Sequence, residues 1–139
     1  MQTLKLLGVA MLAVTVLDFI WLGLVMPRFY DQQLGEIARR SGASLAPRWS
    51  AAIIVYVLIP LGVVLFVRPL FTPTTTLWQA LAWGALYGLI LYGTYDFTNL
   101  ATLEKWNWKL ALIDTAWGAA ICGLTSVAVK AALDWMNKA

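Results

Sequence analysis

Apolar residues fall in four long blocks, at about 4–26, 49–67, 77–100 and 108–129. Each is close to the roughly 20 residues that a bilayer-spanning helix needs. Polar stretches separate them. The first connection, 27–48, holds most of the clustered charge. Within it Tyr30, Leu34 and Ile37 recur at helical spacing while Asp31, Gln32, Gln33, Glu36, Arg39 and Arg40 fill the other faces. That pattern predicts a short interfacial helix, ended by Ser41-Gly42-Ala43-Ser44. Pro60 lies inside the second block and predicts a kink there. Pro73 and three threonines make the next connection a turn, and the stretch 130–139 is expected to be a polar, fraying tail. Short connections make sequential neighbours antiparallel. The predicted fold is all-α and membrane-embedded: a single domain, 1–139, forming an up-down bundle of four transmembrane helices. No internal repeat supports an inverted-repeat transporter.

Composition agrees. Of 139 residues, 61% are hydrophobic and 12% charged. A soluble domain of this size could not hide so much apolar surface, because small domains bury the smallest fraction of their chain. The first block, with Lys5 ahead of it, resembles a signal peptide in outline. It is too long, carries Asp18 and lacks a small-x-small cleavage site, so a retained helix is expected. The one cysteine, Cys122, excludes an internal disulfide and a cysteine-based zinc site, and its apolar setting makes it a packing residue. The absence of histidine removes histidine triads, common zinc sites and histidine-held haem. No metal and no cofactor is therefore expected. The net charge of +3 includes no block dense enough for nucleic acid. Lys5, Arg68, Lys130 and Lys138 fall on one side; Arg28, Arg39, Arg40, Arg48, Lys105 and Lys109 fall on the other. The positive-inside rule then places the first loop in the cytoplasm and the termini outside.

Three aspartates lie inside the apolar blocks: Asp18, Asp96 and Asp114. A carboxylate at mid-membrane costs about 3 kcal/mol on insertion scales, so it marks a candidate functional position. In an up-down bundle all three fall in one half of the membrane. Asp18 and Asp114 would lie roughly 10 Å below that surface. Asp96 is the shallowest. Gly84, Gly88, Tyr92 and Asp96 are spaced by four, flanked by Tyr95 and Asn99, so glycines admit a neighbouring helix and polar groups supply hydrogen bonds. Trp117 shares a face with Asp114, and Trp21 with Asp18. Facing inward, these side chains form an aromatic cavity with acidic groups at depth, the usual recipe for a small-molecule site. A plain structural alternative also fits. The carboxylates could hold the helices in register, or pair with Lys105, Lys109 or Arg28 at the mouth.

The same residues carry a family resemblance. Asp18-Phe19-Ile20-Trp21-Leu22-Gly23-Leu24, Phe29-Tyr30 with Gln33-Leu34-Gly35, the run from Tyr92-Gly93-Thr94-Tyr95-Asp96 to Asn99-Leu100-Ala101-Thr102-Leu103, and Asp114-Thr115-Ala116-Trp117-Gly118 are similar to the signatures of a bacterial membrane-protein family. It is catalogued as domain of unknown function 2177. Asn107-Trp108 departs from the pattern, where a proline is expected after the tryptophan. The resemblance covers nearly the whole chain and implies a multi-pass protein of the bacterial inner membrane. It implies no reaction.

Two functional readings follow. In the first, the cavity binds or transports a small lipophilic or cationic ligand, with Asp18, Trp21, Tyr92, Tyr95, Asp96, Asn99, Asp114 and Trp117 as its lining. Proton coupling is open to a desolvated aspartate, and the small size favours a homodimer if the path must cross the membrane. Membrane lipid and an unidentified small molecule are the expected partners. In the second, Asp96 and Asp114 are catalytic and share a proton as acid and base, with Tyr92 or Tyr95 as oxyanion donors. The Tyr95-Asp96 dipeptide resembles that of aspartate-dyad membrane proteases, though the fourth block lacks their glycine-rich approach. Geometry separates the two readings, because a working dyad needs its carboxylates in near contact. An accessory or structural role is the third possibility.

Overall fold

A computed structural model describes residues 1–42 and 44–138. Helix α1 spans Gln2–Ile20 and continues through a π-helical turn, Trp21–Val25. Helix α2, Pro27–Leu34, opens on a proline at its first position, where the missing N–H is no loss. It stops at Gly35, whose positive φ of 46° is open to a residue without a Cβ. A 3-10 turn, Gly35–Ile37, leads to a two-stranded hairpin of β1 (Arg40–Ser41) and β2 (Ser44–Leu45). Ala43, expected to help end the interfacial helix, lies outside the described residues. Helix α3, Trp49–Gly62, contains Pro60 and rewinds into a second π-helical turn, Val63–Val67, before a 3-10 turn, Arg68–Leu70. Pro60 removes one backbone donor, and the wider turn accommodates the interruption.

Helix α4, Leu77–Thr102, begins at a capping box. The Thr76 hydroxyl accepts from the Gln79 amide at 3.2 Å, and the Gln79 side chain accepts from the Thr76 amide at 2.9 Å. Helix α5, Trp108–Lys138, starts where the Asn107 carboxamide accepts from the Leu110 amide at 2.9 Å. It does not stop at residue 129. Val129, Lys130 and Leu133 are all buried, so the expected polar tail is helix out to Lys138. The correction has a plain cause. The polar groups of 130–138 recur on a helix whose other face stays apolar. Lys130, 1% exposed, satisfies its ammonium within its own helix on Asp134, at 2.5 and 2.6 Å.

Among the described residues, three helical segments are long and apolar enough to cross a membrane: Gln2–Val25, Trp49–Leu70 and Trp108–Lys138. Leu12, Phe19 and Leu24 on α1 and Ile53, Ile54 and Leu58 on α3 are exposed. In water these would form patches far beyond what a monomer carries; facing acyl chains they are ordinary. Helix α4 matches the others in length, but its glycines, tyrosines, Gln79, Asp96 and Asn99 make it less apolar.

Helix α5 is the centre of the assembly. One side packs on α1 and the end of α3, where Leu6, Ala10, Val14, Val63, Val67, Ile121 and Val129 form the core. The other side runs antiparallel along α4, and this is the most extensive pair in the molecule. Glycines set its closeness. A Cβ on Gly88 would stand 2.0 Å from the Gly118 carbonyl oxygen, and one on Gly84 2.5 Å from the Cys122 carbonyl oxygen. Small residues allow such an approach and maximise contact between backbones. Cys122 is buried in that seam. Helix α4 meets α3 chiefly at the Val63–Val67 turn, so the first half of α3 stands away from α4 and leaves a groove.

Candidate functional site

The three aspartates converge at the end of the helices that faces α2 and the hairpin. Asp18, near the end of α1, is reached by two neutral donors. Trp117 of α5 donates from Nε1 to Oδ1 at 3.0 Å, and the Tyr56 hydroxyl of α3 donates to Oδ2. Trp117 is held flat against Trp21, with ring centroids 4.4 Å apart and planes 4° from parallel. Trp21 donates from Nε1 to the Tyr30 hydroxyl at 3.1 Å, and Tyr30 donates to Asp114 Oδ1 at 2.5 Å. A buried residue of α2 is thereby tied to the second turn of α5. Burial, and then the negative charge of Asp114, push the Tyr30 hydroxyl well above its usual range. It remains a donor.

Asp96 and Asp114 lie within hydrogen-bonding reach of each other across the α4–α5 seam. Asp96 is fully buried. Its Oδ2 accepts from the Thr115 hydroxyl at 3.4 Å, a long bond, while Oδ1 is buried without a partner. The Trp106 indole, from the α4–α5 connection, comes close on the other side, and its N–H is also buried and unpartnered. The aspartate expected to be shallowest is thus the most enclosed. Helix α5 pressed against the glycine face of α4 and the folded-back connection cover a position that lies near a helix end.

Two cavities meet here. One, of about 630 Å³, is the groove between α3 and α4. Its walls are apolar side chains of α3, from Val55 to Phe66, and Tyr87, Leu91, Tyr92 and Tyr95 of α4, with Asp114 the sole carboxylate. The other, of about 550 Å³, lies under α2 and the hairpin, where Asp18, Tyr30, Trp117 and Arg39 contribute polar groups. Tyr92 and Asp114 line both. Asp96 lines neither, nor does Asn99, which lies within reach of the Tyr95 hydroxyl. Tyr92 packs on Gly118, where a Cβ would stand 2.1 Å from its ring.

Among the described residues, no ion pair reaches these carboxyls. The ion pairs among the described residues are Arg40–Asp31, Lys105–Glu36 and Lys130–Asp134, none of which touches Asp18, Asp96 or Asp114. Pairing at the mouth with Lys105, Lys109 or Arg28 does not occur. Lys105 holds Glu36, whose carboxyl it keeps below its usual range, and Lys109 stands 5.7 Å over the Phe29 ring. Both lysines are spent on clamping the first loop to the end of the helices.

The structure adds three residues to those singled out from the chain. In the sequence, Tyr30 shows only in an amphipathic pattern and a family signature, and Thr115 in a signature. Tyr56 belongs to no pattern, although it is the one hydroxyl deep in the 49–67 block.

Comparison with known proteins decides the family. The model of a family described as predicted membrane protein (DUF2177) matches residues 3–131. The chain belongs to this family. No curated protein and no solved structure matches it. Residues 3–131 include every side chain of the two cavities, so the site is built wholly within the family region.

Proposed function

We propose that this family member binds, and moves within the membrane, an amphipathic cation whose apolar part enters sideways between α3 and α4 and whose charged end settles at Asp114. The observation that carries this reading is the sharing of Asp114 and Tyr92 by the two cavities. An apolar groove facing lipid and a polar chamber facing the first loop have one carboxylate in common. The volume of the groove falls in the range of small-molecule pockets. Its wall along α3, from residue 55 to 66, is roughly 16 Å long at the helical rise, enough for an extended alkyl chain. With no ion pair to the acidic trio among the described residues, a cation is the ligand charge that lowers the cost of burying it.

In this reading the protein spans the inner membrane four times. Helix α4, the third in chain order, spans as well, shielded from lipid on its polar side by α5. Helix α2 lies at the interface as a cover on the chamber, and the first loop faces the cytoplasm.

The test is binding of dodecyltrimethylammonium to the protein in phosphatidylcholine nanodiscs, with dodecanol as the uncharged analogue. The cation should bind saturably and at least about tenfold more tightly, since one such factor is only about 1.4 kcal/mol of charge recognition. Equal affinity for the alcohol would refute a cation site.

The contact between Asp96 and Asp114 favours a second reading, an intramembrane enzyme with a carboxyl pair. Enclosure weighs against it. A dyad must present both carboxyls to the substrate, whereas Asp96 is sealed behind Asp114 and lines neither cavity.

A further inference from the structure

Two carboxyls in contact, deep in an apolar bundle and without a cation, are relieved most simply by one proton between them. It removes one of two like charges and places a donor between the two carboxyls. The local geometry asks for it. Asp96 Oδ1 is buried and unpartnered, and Thr115 reaches only Oδ2. Tyr30 is committed to Asp114 Oδ1. The pair is asymmetric in access, because Asp114 faces both cavities and Asp96 faces neither.

We infer that the Asp96–Asp114 pair is an exchange site, at which one lipophilic cation bound at Asp114 expels one proton to the buffer through the loop-side chamber. The inference rests on the binding reading above. A cation seated on Asp114 compensates the charge that the proton compensated before, and the two compete for one carboxyl. On release, an O–H bond to the pair breaks and the proton passes to buffer; nothing is oxidised or reduced. The groups facing Asp114 leave no other source. Asp18 on α1 has both oxygens taken by the donors Tyr56 and Trp117, which leaves neither free to meet the ligand. Tyr30 from α2 and Tyr92 and Tyr95 from α4 are phenols, which stay neutral near neutral pH. Arg39 on the chamber wall contributes a guanidinium. Asp96 is a positioning residue here: it never meets the ligand and acts by holding the proton on its neighbour.

The experiment is calorimetry of the full chain in phosphatidylcholine nanodiscs, titrated with dodecyltrimethylammonium at one pH in two buffers of different ionisation enthalpy. The probe has no proton of its own. About one proton should be released per cation. Where the pair is protonated, affinity should rise about tenfold per pH unit. In Asp96→Asn the amide donates permanently to Asp114, so cation binding should persist with release near zero and no dependence on pH. Binding whose heat is the same in both buffers would overturn the exchange and leave the binding reading standing, and so would undiminished release from a folded Asp96→Asn protein. If that variant does not fold, the two-buffer comparison on the native chain decides alone. Failure of the cation to bind at all would overturn both readings.

Discussion

Replacing Asp114 with asparagine separates what the carboxyl does for the fold from what it does for a ligand. In the native protein Asp114 accepts from Tyr30 at 2.5 Å and lies within reach of Asp96. An asparagine can keep its oxygen toward Tyr30 and turn its NH2 toward Asp96. The Tyr30 bond loses its charge assistance, a cost of about 1 kcal/mol. Against this, the new NH2 donates to Asp96 in place of the proton that the two carboxyls share, an exchange of one donor for another that changes stability by about 1 kcal/mol or less. The stability of Asp114→Asn should therefore lie within about 1 kcal/mol of the native protein. Binding should respond differently. A unit charge pair at about 4 Å with an effective dielectric constant of about 20 is worth about 4 kcal/mol before desolvation. A loss of even half of that weakens a cation by about thirtyfold. Denaturant titration in nanodiscs, followed by the fluorescence of the eight tryptophans, measures the first quantity, and calorimetry with dodecyltrimethylammonium measures the second. A stable variant that binds the cation as the native protein does would remove Asp114 from the proposed mechanism. A loss of more than about 3 kcal/mol of stability would instead show that the amide cannot bridge Tyr30 and Asp96, and that the described pairing is wrong.

Gly88→Ala should destabilise the protein by about 3 kcal/mol or more, because its methyl would meet the Gly118 carbonyl oxygen at 2.0 Å on a helix with no room to move. Gly8→Ala, with nothing within 4 Å, should be neutral or slightly stabilising, and parallel unfolding of the two variants checks both. At the other end of the molecule, Asp134→Asn should cost about 3 kcal/mol by stranding the buried Lys130 ammonium, while Lys130→Met should cost little, since Asp134 can turn to solvent; the same unfolding assay would contradict this if the two came out alike. Reporter fusions after Lys138 should be active outside the cytoplasm. With Lys130 engaged inside the bundle, the terminal side retains Lys5, Arg68 and Lys138 against six basic residues on the other. An active cytoplasmic reporter would reverse the orientation and move the chamber mouth to the opposite compartment.

Lipid as the solvent, and the approximate bounds of the long helices, were legible in the chain, because both follow from local apolar composition over about 20 residues. The starts of α4 and α5 were nearly so, since Thr76 and Asn107 cap the backbone within three residues of themselves. The aspartates could be singled out for the same local reason: a carboxylate is costly in an apolar run wherever it points. What each one touches was not legible. Tyr30 and Asp114 are 84 positions apart, and Trp117 and Asp18 are 99 apart. Such pairs depend on how α5 settles against α1 and α4, and its distance from α4 is set by glycines whose effect appears only when the facing backbone is in place. The same packing made Asp96, near a helix end, the most enclosed of the three. It also gave Lys130 a buried place on a helix where the chain read as a loose tail, because periodicity records which side of a helix is apolar but not what will cover it. The groove has no sequence signal at all. It exists because α3 meets α4 mainly at the Val63–Val67 turn and stands apart before it, a relation between two helices that neither helix encodes alone.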